Sequence, residues 1–216
     1  MAGQRRALML HAALELIVKR GYADTRIAEV AKRAGTSQGL VIYHFKSRER
    51  LLTQALEYVE DRWYAIATRR MAAIATSAGR LEEFIALMCL PEGGDDAEDS
   101  WLLYLDLWAQ SARNPAVAAI RQKIDDRSRE TIRSLVLAAQ AAGEFAAVDA
   151  DDFAVTLSAL LCGFVVPIAL EDPTTEPSRA FELSMQYASD RLGFRWGGRR
   201  AAERAGGGGG RAVQRA

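Results

Sequence analysis

TRIAEVAKRAGTSQGLVIYHFK, residues 25–46, reads as two short helices joined by a tight turn, and this reading decides the fold. Ile27, Val30 and Ala31 share one face of the first helix, and Leu40, Val41 and Phe45 share one face of the second. Gly35 supplies the turn, because glycine takes a positive φ at no steric cost. Thr25 is the expected N-cap of the first helix and Ser37 of the second, at about 38–45. Helices this short do not stand alone. A preceding helix must lie beneath them, and residues 4–20 provide it, with Leu10, Ala13, Leu14 and Ile17 at i, i+3, i+4 and i+7 and Gly21 as its stop.

This arrangement is how a chain presents one helix to the major groove of DNA. Core placement leaves Thr36, Ser37, Gln38, Gly39, Tyr43 and His44 pointing outward, with Lys46 just past the helix end. Gln38 suits an adenine edge, and Gly39 lets backbone approach a base or phosphate. Tyr43, His44 and Lys46 are expected to donate to phosphates, and the helix N-terminal amides add an anion site. Arg5, Arg6 and Arg26 are placed to reach flanking backbone. A plain helical hairpin inside a larger bundle is the competing reading. It gives no reason to expose Tyr, His, Gln and Gly together beside surplus basic charge. It keeps more force for single residues, since Tyr43 half-buried, a structural His44 and a solvated Lys46 each fit it.

Charge is distributed unevenly behind a net value of zero. Residues 1–50 hold ten Lys/Arg against four Asp/Glu, residues 195–216 hold six against one, and the middle holds twelve against twenty-three. A basic head and tail around an acidic body suggest that one end meets a polyanion. The 216 residues are 50% hydrophobic and 26% charged, as in an ordinary soluble protein, and suffice for one large domain or for a small one plus a larger one. No stretch alternates as a half-buried strand must, so the fold is expected to be all-α.

Further helices are expected at about 47–76, 80–90, 100–112, 115–142, 150–170 and 177–192. Ser47 caps the 47–76 helix, whose stripe is Leu52, Ala55, Leu56, Val59, Trp63 and Ile66, and which serves as the connector from head to body. PEGGDDAEDS at 91–100 is expected to be a solvated acidic loop without the spacing of a calcium site. Asn114 and Pro115 open the 115–142 helix, and Asp149 caps the next. Phe153, Leu157, Leu160, Leu161, Phe164 and Ile168 recur on one face of that helix. Residues 153–170 are uncharged and reach membrane-spanning length, but Asp151, Asp152, Glu171 and Asp172 flank them and no Lys or Arg does. A subunit interface explains such a helix better than a membrane. The domains read as 1–46, 47–194 and a disordered Gly/Arg-rich tail at 195–216, the tail more a solubilising end than a DNA contact.

Cys89 and Cys162 lie apart in apolar stretches, which suits buried free thiols in a reducing compartment rather than a disulfide or zinc site. The amino terminus lacks a signal-peptide pattern, and a cytoplasmic protein, nucleoid-associated when bound to DNA, is expected. An enzyme reading finds no site: His11 and His44 have no nucleophile or carboxylate at useful spacing, and Gly206–Gly210 lacks a phosphate-loop context. No metal and no cofactor is expected. A helical adaptor for protein partners is the remaining alternative, and its binding would be insensitive to salt.

Residues 10–52, above all AGTSQGLVIYHFKSRERLL at 34–52, resemble the amino-terminal domain of TetR-type transcriptional regulators. That family places A-G-x-S-x-G, an aromatic cluster ending in Phe, and K-S-x-E-x-L at this spacing. The resemblance implies that the third helix reads DNA, and carries that role onto Thr36, Ser37, Gln38, Gly39, Tyr43, His44 and Lys46. Ile42 stands where the pattern often has Tyr, which removes a phosphate contact, and Ala28 and Arg50 stand where an acidic capping partner is common. WLLYLDLWAQSARNPAVAAIRQKID at 101–125 and GEF at 143–145 resemble, more loosely, the branch of choline-responsive BetI repressors.

The resemblance implies a homodimer in which the 115–142 and 150–170 helices pair with their copies, setting two reading helices about 34–36 Å apart on a palindromic operator. It also implies repression relieved by a small-molecule effector. Trp63, Phe84, Met88, Trp101, Tyr104, Trp108 and Phe164 are the candidate pocket residues, with Asp106 placed to help enclose a cation; plain core is the simpler reading of each.

Overall fold

The computed structural model describes residues 2–90 and 95–197, with side chains placed for 3–90 and 102–197. Among the described residues nine helices and no strands occur: α1 Ala2–Arg20, α2 Ile27–Arg33, α3 Gln38–Phe45, α4 Arg48–Ala72, α5 Ser77–Cys89, α6 Asp95–Ser111, α7 Pro115–Ala141, α8 Ala150–Ala169 and α9 Pro177–Leu192. They form two compact units, one of residues 1–70 with 98–128, the other of 71–97 with the chain from 129 onward.

The first unit is built on the predicted floor. Leu10, Ala13 and Ile17 of α1 close over Val30 and Ala31 of α2 and Val41 and Phe45 of α3, all nearly inaccessible to solvent. Gly21 (φ +86°) and Gly35 (φ +63°) make the two chain reversals in the left-handed region that glycine favours. Ser37 caps α3 by accepting from the Leu40 amide at 3.2 Å, and Ser47 accepts from the Arg50 amide at 3.1 Å. Thr25 does not cap α2. Its hydroxyl donates to the Gly21 carbonyl at 2.9 Å, it is fully buried, and Arg26 stands at the cap position without a side-chain bond.

The buried stripe of α4 also departs from expectation. Leu52, Ala55 and Leu56 are buried as predicted, but farther along Tyr64 and Ala67 replace Trp63 and Ile66, and Ile66 is exposed. The acidic stretch predicted as a loop is helical from Asp95 onward, while residues 91–94 lie outside those described.

In the second unit α5, α8 and α9 pack on one another around Phe84, Ile85, Leu157, Phe181 and Met185. Asp149 caps α8 by accepting from the Asp151 and Asp152 amides. This helix is long and apolar enough to cross a membrane, yet Phe153, Leu157, Leu161 and Val165 are buried against its neighbours. Gly193, left-handed, closes α9. Of the tail expected to be disordered at 195–216, residues 195–197 are described, with the Trp196 ring edge-on to Phe181, and 198–216 lie outside the described residues.

Cys89 is almost wholly buried on α5, and burial pushes its thiol up to about 12, against a smaller lowering by the Ser184 hydrogen bond. In a Cys162→Ser variant at pH 8, Ellman's reagent should therefore find no reactive thiol until denaturant is added, and one afterwards. Prompt labelling of the native variant would contradict this packing.

Candidate nucleic-acid interface

The outward face of α3 follows from what its inward face must fill. Val41 and Phe45 occupy the floor, so Gln38, Gly39, Ile42 and Tyr43 turn to solvent with Ser37 and Lys46 at the two ends. Tyr43 is 68% exposed and Ile42 47%. Thr36 and His44 are half-buried, and Leu40, predicted inward, is half-buried too. The Tyr43 and His44 rings meet edge to face at 5.4 Å, and the Lys46 ammonium sits 5.1 Å from the Tyr43 ring centre. Ring and cation therefore share one edge of the face.

Lys46 has a positive φ of 68°, and the Ser47 amide donates to the Phe45 carbonyl at 2.8 Å across it. This is a γ-turn of the strained hand. The turn ends α3 abruptly and points α4 away within two residues.

Of the flanking arginines, Arg6 donates to Gln54 at 2.7 Å and lies 5.5 Å from the Phe45 ring, so it is braced between α4 and α3. Arg5 and Arg26 are exposed. Arg33 pairs with Glu15, whose carboxyl is held below its usual range by that hydrogen bond.

A second feature was invisible in the sequence pattern. The loop 21–25, which carries α2 and α3 off α1, is gripped from two sides. Arg48 donates to the carbonyls of Thr25 at 2.6 Å, Ala23 at 2.8 Å and Tyr22, with its guanidinium 5.5 Å from the Tyr22 ring. On the other side the Tyr22 amide donates to Asp106 of α6. The Asp106 carboxylate, predicted to help enclose a cation, is thereby engaged by the head.

Two residues earlier on α6, the Tyr104 hydroxyl donates at 2.6 Å to Glu60, a glutamate only 6% exposed. Burial raises the Glu60 carboxyl above its usual range, partly offset by the Tyr104 bond and the Arg127 charge. A cleft of about 200 Å³ between α4 and α7 is lined by Glu57, Glu60, Asp61, Ile120, Lys123, Ile124 and Arg127. It is not the predicted aromatic set. Trp63, Tyr104, Asp106 and Trp108 lie in the first unit, and Phe84, Met88 and Phe164 in the second. Trp101 is outside the described side chains. No group of metal-ligating residues occurs among the described residues.

Lys46→Gly should relieve the turn strain, of about 1–3 kcal/mol, and forfeit roughly 1 kcal/mol to the greater freedom of the unfolded chain. The expected result is a net gain of about 1 kcal/mol in urea unfolding, with weaker duplex binding and a log-affinity against log-salt slope smaller by about 1. Lower stability with unchanged binding would contradict both roles.

Comparison with known proteins agrees with this geometry. Residues 9–55 match the family model of bacterial regulatory proteins of the tetR family, and residues 77–193 match that of the BetI-type transcriptional repressor C-terminal domain. The chain is 26% identical over 195 residues to the HTH-type transcriptional regulator BetI of Pseudomonas paraeruginosa, covering 87% of this chain and 93% of that one. The BetI regulator of Burkholderia mallei is 29% identical over the same coverage. Among solved structures, a transcriptional regulator from Saccharomonospora viridis in complex with choline is 27% identical with a TM-score of 0.77, over 88% of this chain and 98% of that one. The chain therefore belongs to the TetR family of transcriptional regulators, with a BetI-type carboxyl-terminal domain, and is not an enzyme.

Proposed function

We propose that this regulator is a repressor which binds a palindromic operator as a homodimer and leaves it when a small organic cation enters beside Glu60. The observation that carries the DNA half is the exposed face of α3, where Gln38, Gly39, Tyr43 and Lys46 stand together. Ser37, Thr36, His44 and Arg26 complete the contact set at its margins. The relatives are named as HTH-type regulators, which supports the same reading.

The dimer is proposed to form through α8 and the later part of α7. Val155 of α8 is 55% exposed and Leu137 of α7 is 40% exposed, while Ala159 and Gly163 leave α8 smooth enough for a second helix to approach. Apolar surface of this kind is what a symmetric interface covers. Two copies then place their α3 helices about one helical turn of DNA apart, 34–36 Å.

The effector half rests on Glu60. A carboxyl group kept almost out of water, held by Tyr104, near Trp63 in sequence and with its charged form disfavoured by burial, is a candidate partner for a cation. A similar regulator was solved with choline, which makes choline the first cation to try. Tyr104 and Asp106 lie on one helix, so a ligand that draws Glu60 and Tyr104 toward itself shifts α6 and, through Asp106, loop 21–25. Such a ligand acts only by its different affinity for the two arrangements, and about 1–3 kcal/mol of coupling changes operator affinity roughly 5- to 150-fold. The protein acts in the cytoplasm, on the nucleoid when bound.

The test is a titration of choline against the full-length protein on its own upstream DNA, followed by gel shift at two salt concentrations. Steep loss of binding with salt and release by choline support the proposal. Salt-insensitive binding would favour a protein adaptor, and equal choline affinity for free and DNA-bound protein would remove the effector mechanism. Glu60→Gln should abolish the choline response. It should also raise the melting temperature at pH 7 and leave it nearly unchanged at pH 4. A buried acid with a raised pKa is costless below its unfolded value near 4.5, and its penalty grows as pH rises through the folded value.

A further inference from the structure

Ile42 stands on the exposed face of α3 although the floor beneath is already filled by Val41 and Phe45. A lone exposed isoleucine needs no explanation on an ordinary surface. This one is different in its surroundings. It follows Gln38 by four residues and so lies on the same side of the helix one turn on. Gly39, three residues before it, has no side chain, and a Cβ built there would meet nothing nearer than Ser37 Oγ at 3.9 Å. Gly39 therefore leaves its side of the preceding turn bare, and Ile42 is 47% exposed beside Gln38. Tyr43, with Lys46 over its ring, bounds the same face on its other side.

A major groove offers hydrogen-bond donors and acceptors at every base pair, but only one apolar group, the C5-methyl of thymine. An apolar, β-branched side chain that enters the groove beside Gln38 has that single complementary target. We propose that Ile42 is a specificity-determining residue which reads a thymine in each operator half-site by packing on its C5-methyl. Side chains one turn apart are about 5–6 Å apart at Cβ, and bases along a strand are about 3.4 Å apart. The thymine therefore lies within two base pairs of the pair that Gln38 contacts. This inference rests on the operator-binding reading above, and it assigns Ile42 a positive role where the missing tyrosine would suggest only a lost phosphate contact.

The experiment replaces each thymine of the footprinted operator in turn by deoxyuridine, which deletes the methyl and leaves every hydrogen-bonding group in place. Affinities of the full-length protein are read by fluorescence anisotropy. Burying one methyl is worth about 0.8 kcal/mol, so one uracil position per half-site should weaken wild-type binding roughly fourfold. Ile42→Ala should bind the thymine and uracil duplexes equally, and Ile42→Val should keep most of the discrimination. If no uracil position weakens wild-type binding, or if Ile42→Ala discriminates as wild type does, Ile42 does not read a thymine. If footprinting finds no duplex that the wild-type protein protects, the operator reading falls as well, which distinguishes the two failures.

Discussion

Loop 21–25 is the constraint on which the head depends. It carries α2 and α3 away from α1, and it is buried at Tyr22 and Thr25. Its backbone polar groups must find partners within the protein. Arg48 satisfies three carbonyls from the start of α4, and Asp106 satisfies the Tyr22 amide from α6. Bonds to a guanidinium or a carboxylate are stronger than neutral ones, and removing either partner leaves a part-buried group at a cost of about 1–3 kcal/mol. The position of the reading helix is therefore not a local property of the helix-turn-helix. It is held by residues outside that motif.

The same hold offers the proposed site beside Glu60 a route to the head through α6. Tyr104 and Asp106 are two positions apart, so they leave α6 on different sides, one toward Glu60 and one toward the loop. A small rotation of α6 displaces both. Arg48, on the same helix as Glu60, gives α4 its own grip on the loop. The helix that carries Glu60 and the helix that bonds it through Tyr104 thus both hold one five-residue segment, which is the minimum needed for a change at one place to be felt at the other.

What the sequence disclosed and what it hid divide by range. The turn at Gly35, the Ser37, Ser47, Asn114 and Asp149 caps and the floor of Leu10, Ile17, Val30, Val41 and Phe45 all rest on spacings of seven residues or fewer. The exposed Gln38 and Tyr43 follow from that floor by subtraction. Thr25 departs from the expected cap because its buried hydroxyl bonds the carbonyl four residues back, a local alternative to capping. Trp63 and Ile66 depart from the expected stripe because past Val59 the buried face of α4 passes to Tyr64 and Ala67. Glu60, Arg48 and Asp106 bond across 44, 23 to 26, and 84 residues, and no periodicity encodes such partners.

Amide hydrogen exchange on an Asp106→Asn variant tests the central claim most directly, since the substitution keeps size and removes only the charge that receives the Tyr22 amide. Protection should fall at Tyr22 and, together with it, across α2 and α3, while α5, α8 and α9 exchange as in the wild type. Faster exchange confined to Tyr22, with the reading helix as protected as before, would show that the head holds its own shape and that this grip does not govern it.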